Sequence, residues 1–86
     1  MMQIRTKDAD EAAFFWIQKG VEFQSCEVRT DYNRKSLWFV FNMDMTEMQF
    51  QQLRNDFRNG KTLVEPKAFM AKRNEVKNLI RENIYS

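Results

Sequence analysis

Acidic side chains are the main candidates for catalytic chemistry in this chain of 86 residues. The sequence contains no histidine, so Ser-His and Cys-His nucleophiles and histidine-ligated metals cannot form within one chain. Asp8, Asp10 and Glu11 cluster, and one or two carboxylates can hold a hard cation such as Mg²⁺. Acids also suit the first turn of a helix, where the macrodipole favours them. We expect this second role, and therefore no enzyme activity, no metal site and no cofactor.

The glycines and the cysteine exclude other kinds of site. Gly20 and Gly60 are the only glycines, and two isolated glycines form neither a dinucleotide-binding fingerprint nor a phosphate-binding loop. Cys26 has no second cysteine for a disulfide or a zinc site. Its place in a predicted strand is typical of a small core residue, and a lone cysteine fits a reducing cytosol. With a polar N-terminus and no long apolar segment, we expect a cytoplasmic protein without membrane contact.

Basic residues are candidates for nucleic-acid binding. The 14 Lys and Arg exceed the 12 Asp and Glu only slightly, whereas dedicated DNA-binding proteins usually carry a stronger basic bias. The cations fall on the flanks of two predicted helices and at a predicted hairpin, where an aromatic ring can stack on a base. Ordinary solvated faces are the alternative explanation. The candidate contacts are Tyr32, Arg34, Lys35, Arg54, Arg58, Lys61, Lys67, Lys77 and Arg81.

Surplus apolar surface is the second functional signal. The apolar run Leu37–Phe41 indicates a strand that is covered on both faces. Either the helices and the N-terminal segment wrap both faces, or a second molecule covers one. The first predicted helix is also apolar over a wider arc than one core contact needs. The candidate protein interface is therefore Phe14, Phe15, Trp38 and Val40, with a homodimer or another protein as the partner.

The elements that position these residues can be predicted from local signals. Asp8 and Glu11 have the spacing of a capping box that begins a helix, and Gly20 suits a left-handed residue that ends it. A strand begins at Val21, and its alternation slips by one residue near 24–26, which predicts a bulge. A polar loop over 31–35 then predicts a hairpin.

The return strand and the last two helices follow. In the strand 36–43, Leu37, Phe39, Phe41 and Met43 alternate onto one face, with Trp38 and Val40 on the other. Thr46 and Gln49 predict a second capping box, Asn59-Gly60 ends that helix, and Pro66 begins a third. The third helix carries an apolar stripe: Phe69, Val76, Ile80 and Ile84.

These signals predict one α+β domain spanning 1–86. Its element order is (β)αββαα, because a first strand over 3–6 is also compatible with the sequence. A small two- or three-stranded sheet, built on an antiparallel hairpin, would pack against three helices.

Several short segments carry a resemblance to known proteins. They are Arg5-Thr6-Lys7-Asp8, Ala12-Ala13-Phe14, Gly20, Trp38-Phe39-Val40-Phe41, Asn59-Gly60, Val64-Glu65-Pro66 and the end near Tyr85. In these segments the chain resembles a family of small phage, prophage and bacterial domains of unknown function. The resemblance implies a fold and a phage-like origin, hence location in the host cytoplasm, and it transfers no active site. An aromatic residue often precedes the Asn-Gly pair in that family, whereas Arg58 stands there in this chain.

Two functional hypotheses follow. The first is a small non-catalytic binding module of phage or mobile-element type, which contacts another protein or a second copy of itself. By analogy, such a module would modulate a host factor or a defence system. The alternative is a nucleic-acid-binding domain that uses the basic helix flanks and the hairpin aromatic residue.

Overall fold

Three antiparallel strands and three helices build the protein, in a computed structural model that describes residues 2–85. Their order, β-α-β-β-α-α, confirms the predicted α+β class. In the described part of the chain, no helix is long and apolar enough to cross a bilayer. The strands are β1 (Met2–Thr6), β2 (Val21–Asp31) and β3 (Arg34–Met43), and the helices are α1 (Ala9–Trp16), α2 (Glu47–Arg58) and α3 (Pro66–Ile84).

Strand β3 is the centre of the sheet. The strand order is β1-β3-β2, so β1 and β2 are the two edges. The β2–β3 register shifts between Phe23 and Ser25, which confirms the predicted bulge. The hairpin turn is tighter than the predicted loop, because only Tyr32 and Asn33 separate the two strands. Both turn residues have positive φ, as a two-residue type I′ turn requires.

One face of the sheet, here called the inner face, packs against the helices. Alternate residues of β3 point into this core and are almost completely buried: Leu37, Phe39, Phe41 and Met43. Helix α3 adds the fully buried Val76, with Phe69, Ile80 and Ile84 packed partly against the same core. The predicted stripes of β3 and α3 are therefore confirmed.

The ends of α1 differ from the sequence-based prediction. The Asp8 carboxylate accepts the Glu11 backbone N–H at 2.9 Å, as an N-cap should. In a full capping box the Glu11 side chain would accept the Asp8 N–H. Here the Glu11 carboxylate binds two arginines of α2 instead. The helix also ends earlier than predicted, at Trp16. Gly20, with φ of 75°, lies in the turn that leads into β2 and does not cap the helix.

Helices α2 and α3 begin as the sequence predicts. The Thr46 hydroxyl accepts the Gln49 N–H, and the Gln49 side chain accepts the Thr46 N–H, which completes the capping box. Pro66 occupies the first turn of α3. The Glu65 carboxylate caps that helix by accepting the Ala68 N–H at 2.6 Å.

The prediction that Phe14 or Phe15 faces outward is wrong. Both rings are buried, with exposed fractions of 1% and 0%. Helix α2 supplies the cover: Phe57 stacks on Phe14 with ring centroids 4.3 Å apart, and Phe50 lies 5.4 Å from Phe15. The wide apolar arc of α1 therefore serves intramolecular contacts with the sheet, with α2 and with α3.

The opposite face of the sheet, here called the outer face, is closed by charged side chains. Arg5 of β1 and Glu27 of β2 flank the central strand and form an ion pair across it, at 3.6 Å. Val40 lies beneath in β3 and is only 2% exposed. Long polar side chains with apolar stems can cover a small apolar residue in this way. Val40 is thus not an exposed interface residue, and Trp38 is the one partly exposed member of the predicted set.

Replacing Phe15 by Ala tests its role in the core. We expect the free energy of unfolding to fall by about 3–5 kcal/mol, because a fully buried ring leaves a cavity among aromatic neighbours. Urea denaturation followed by circular dichroism measures this change. The matched control is Leu63→Ala, at a fully exposed apolar residue, which we expect to alter stability by less than about 0.5 kcal/mol. Equal, small effects of both substitutions would contradict the core assignment.

Candidate functional site

A groove of about 350 Å³ lies where β1 ends and α1 begins. Side chains from the β1–α1 junction, from β3 and from α2 meet there. We call it the basic groove, since four of its residues are cations and two are anions. Its lining is Arg5, Thr6, Lys7, Asp8, Glu11, Trp38, Arg54 and Arg58.

The Glu11 carboxylate organises one wall of the basic groove. The Glu11 side chain is 3% exposed, and a carboxylate this buried needs charged partners. Arg54 donates to Oε1 from Nε at 3.1 Å and from a terminal nitrogen at 2.7 Å. Arg58 donates to Oε2 from Nε at 3.1 Å. Two cations thus share one anion, and the triad carries a net positive charge.

The two arginines of this wall differ in exposure. They are four residues apart on α2, so they share one side of the helix. The Arg54 guanidinium lies over the Phe50 ring, 4.8 Å from its centroid, and its side chain is 20% exposed. The Arg58 side chain is 59% exposed. Arg54 therefore ties α2 to α1, while Arg58 presents positive charge to the groove.

Trp38 forms the opposite wall, on the outer face of the sheet. The Lys7 ammonium lies 5.7 Å and the Arg29 guanidinium 5.5 Å from the centroid of its ring. Both distances are within the range of cation–π attraction. Glu27 holds Arg29 at 3.5 Å as well as Arg5. The ring thus lies close to two cations, and one of these, Arg29, shares Glu27 with Arg5.

A second hollow, of about 500 Å³, adjoins the basic groove at the hairpin. Lys7 lines both hollows, so they form one continuous surface. We call this second part the hairpin hollow; its other lining residues are Asp31, Tyr32, Arg34 and Ser36. Tyr32 stands at the tip of the hairpin with 93% of its surface exposed.

The charge of the chain is concentrated on this surface. The five cations and three acids that line the two hollows give a net charge of +2, equal to the formal net charge of the whole chain. The remaining cations and acids balance. The surface is therefore the electropositive part of a nearly neutral protein. The cations are Arg5, Lys7, Arg34, Arg54 and Arg58, and the acids are Asp8, Glu11 and Asp31.

The structure brings together only part of the predicted nucleic-acid contact set. Tyr32, Arg34, Arg54 and Arg58 lie on the basic groove or the hairpin hollow. Lys35 alternates onto the opposite side of β3. Residues of the set that lie elsewhere are Lys61, which follows α2, and Lys67, Lys77 and Arg81, which occupy the side of α3 opposite Val76.

Sequence reasoning missed two cations of this surface: Arg5 and Lys7. Arg5 is an outward residue of the edge strand β1, and Lys7 follows that strand. The only signal in the sequence was their alternation with buried residues such as Ile4 and Thr6. Which strand neighbours Trp38 depends on the sheet order, which local patterns do not specify.

The clustered acids are directed to different partners. Asp8 caps α1, Asp10 pairs with Arg73 of α3 at 2.6 Å, and Glu11 binds Arg54 and Arg58. Among residues 2–85, no group of three or more potential ligands is placed to hold a metal ion. The three carboxylates therefore do not converge on one point.

Cys26 is a half-buried strand residue. Burial raises the pKa of its thiol above the usual range. A thiol with a raised pKa stays protonated at neutral pH and is a weak nucleophile. Its position beside the core agrees with a packing role.

No family model, curated protein or solved structure matches this chain. Function is therefore argued from the site itself.

Replacing Glu11 by Gln tests whether the Glu11 carboxylate stabilises the wall of the basic groove. The amide cannot neutralise two guanidinium groups, so we expect the free energy of unfolding to fall by about 2–3 kcal/mol. Chemical denaturation at neutral pH measures the loss.

Asp10→Asn is the matched control for this change. It breaks an ion pair whose side chains are 53% and 37% exposed, and such a pair contributes less than about 1 kcal/mol. If the two substitutions cost the same, Glu11 is not the structural anchor described above.

Proposed function

We propose that this protein binds nucleic acid through the basic groove and the hairpin hollow. The observation that carries the proposal is a continuous surface that carries five cations and the partly exposed Trp38, and that accounts for the whole net charge of the chain. Cations contact backbone phosphates irrespective of sequence. An aromatic ring among them adds a platform for a base.

The chemistry of the groove suits phosphate oxygens. Guanidinium groups bind phosphate through two parallel hydrogen bonds, and an ammonium adds a compact point charge. Arg58 reaches Glu11 through Nε, and this geometry directs its outer edge toward a ligand. Arg5 and Lys7 line the same groove. A phosphate bound there would therefore meet cations from β1, from the β1–α1 junction and from α2.

Lys7→Gln and Arg58→Gln test the binding surface. We expect each to weaken binding of labelled oligonucleotides in fluorescence anisotropy titrations at low salt. Each loss of a phosphate contact should also flatten the plot of log K against log salt by about 0.7–0.9.

Lys77→Gln is the control, since it removes the same charge from the exposed side of α3. We expect affinity and salt slope to stay close to those of the unmodified protein. A protein that retains neither single-stranded nor double-stranded oligonucleotides at low salt would overturn the proposal. Equal losses for Lys7→Gln and Lys77→Gln would move the binding site elsewhere.

Self-association is a second candidate function, and it corresponds to the protein-contact hypothesis. It is favoured by β2, an edge strand of 11 residues that includes the 45% exposed Val28. A long edge strand offers backbone groups to a strand of another molecule.

Light scattering over a concentration series tests this candidate. Self-association predicts a mass that rises above 10.5 kDa and persists at high salt, because backbone pairing is not screened as surface charge is. A constant mass of one chain would remove the candidate.

A further inference from the structure

We infer that the nucleic acid bound is an unpaired strand, whose bases stack on Trp38 in the basic groove and on Tyr32 at the hairpin. This inference rests on the proposed function and specifies its ligand. Three observations carry it: the position of Trp38 within the groove, the backbone conformation of Tyr32, and the continuity of the surface between them.

Trp38 provides a partly buried aromatic ring on which a base can stack. It lines a groove of about 350 Å³, at the small end of the range for pockets that hold a small molecule, so we expect it to take one base with its sugar. The ring is only partly exposed, and Lys7 and Arg29 lie over it. A base that enters the groove would therefore displace one of these long side chains from the ring, and the displaced cation would remain close enough to contact an adjoining phosphate. Base–aromatic stacking of this kind is tolerant of sequence.

Tyr32 occupies a position that favours other residues. Its φ is 51°, and a left-handed conformation at the first turn residue favours Gly, Asn or Asp. A bulky side chain there costs conformational free energy. The ring is 93% exposed, so burial does not offset that cost. Strain of this kind in an exposed aromatic residue points to a role in binding.

The surface between the two rings is continuous and basic. Trp38, Ser36 and Arg34 follow one another at alternate positions of β3, so they share the outer side of the strand. Lys7 lines both hollows and so joins the part that holds Trp38 to the part that holds Tyr32. A strand that runs along β3 from the groove to the hairpin would meet ring, cation and ring in turn.

A duplex fits these features less well. Its bases are stacked on each other inside the helix, so a recessed ring such as Trp38 reaches a base only if that base leaves the stack. Phosphates alone would account for the cations, but not for Trp38 or Tyr32. An unpaired strand can place its phosphates on the cations and its bases on the two aromatic rings, without the cost of opening a duplex.

The fluorescence of Trp38 tests the inference directly. The chain has two tryptophans, and Trp16 stacks on Phe23 beside α3, outside the basic groove. In Trp16→Phe, Trp38 is the only tryptophan, and with excitation selective for tryptophan over tyrosine we expect oligothymidylate and oligouridylate to quench its emission as they bind. In Trp38→Phe, only Trp16 emits, and we expect the same oligonucleotides to leave it unchanged. Comparing the two oligonucleotides distinguishes DNA from RNA.

Affinity measurements give an independent test. We expect Trp38→Leu to weaken single-strand binding about tenfold, and Tyr32→Asn about fivefold, with salt slopes unchanged because neither removes a charge. Tyr32→Asn should also stabilise the fold, since Asn suits the turn. This second variant keeps the test valid if Trp38→Leu folds poorly.

The outcomes separate this inference from the proposed function. Preference for the single strand, quenching of Trp38 and weaker binding of both variants would support it. A duplex of the same sequence that binds as tightly, or unchanged affinity in both variants, would overturn it while leaving nucleic-acid binding in place. Failure of the unmodified protein to bind any oligonucleotide at low salt would overturn both.

Discussion

The buried Glu11 carboxylate is the interaction on which the rest of the structure depends. It lies in the first turn of α1 and accepts hydrogen bonds from two arginines of α2, which are 43 and 47 residues away in sequence. These bonds fix the side of α2 that faces α1. The rings of Phe50 and Phe57 can then cover the apolar surface of α1. One carboxylate thus sets the position of a helix and builds a wall of the basic groove.

The second constraint is the outer face of the sheet. A three-stranded sheet with helices on one side exposes its other side. The apolar residues of the central strand β3 on that side would then be open to solvent and to association with other molecules. An ion pair between the two edge strands covers Val40, and cations surround Trp38. The cover is charged, so the same residues that protect the apolar strand also make the face electropositive. These side chains stabilise the sheet, and the proposed binding of nucleic acid would use them as well.

Local features of the fold could be predicted because they depend on near neighbours in sequence. The cap at Thr46, the proline that begins α3, the bulge in β2 and the alternation of β3 each follow from a few adjacent residues. The ends of α1 were predicted less well. The Glu11 side chain has a stronger partner in Arg54 than in its own N-cap, and that partner lies far along the chain.

The sequence by itself determined the element order, the inward stripes of the strands and helices, and the kinds of side chain available for binding. Only the tertiary structure decided that Phe14 and Phe15 are buried, because their cover comes from α2. It also decided which cations meet: Arg5, Lys7 and Arg58 reach one groove, whereas Lys67 and Lys77 lie away on α3. The physical reason is the separation along the chain between the residues that determine each feature. Capping and periodicity are set within a few residues, while a binding surface joins side chains from distant segments, whose proximity follows from strand order and helix packing.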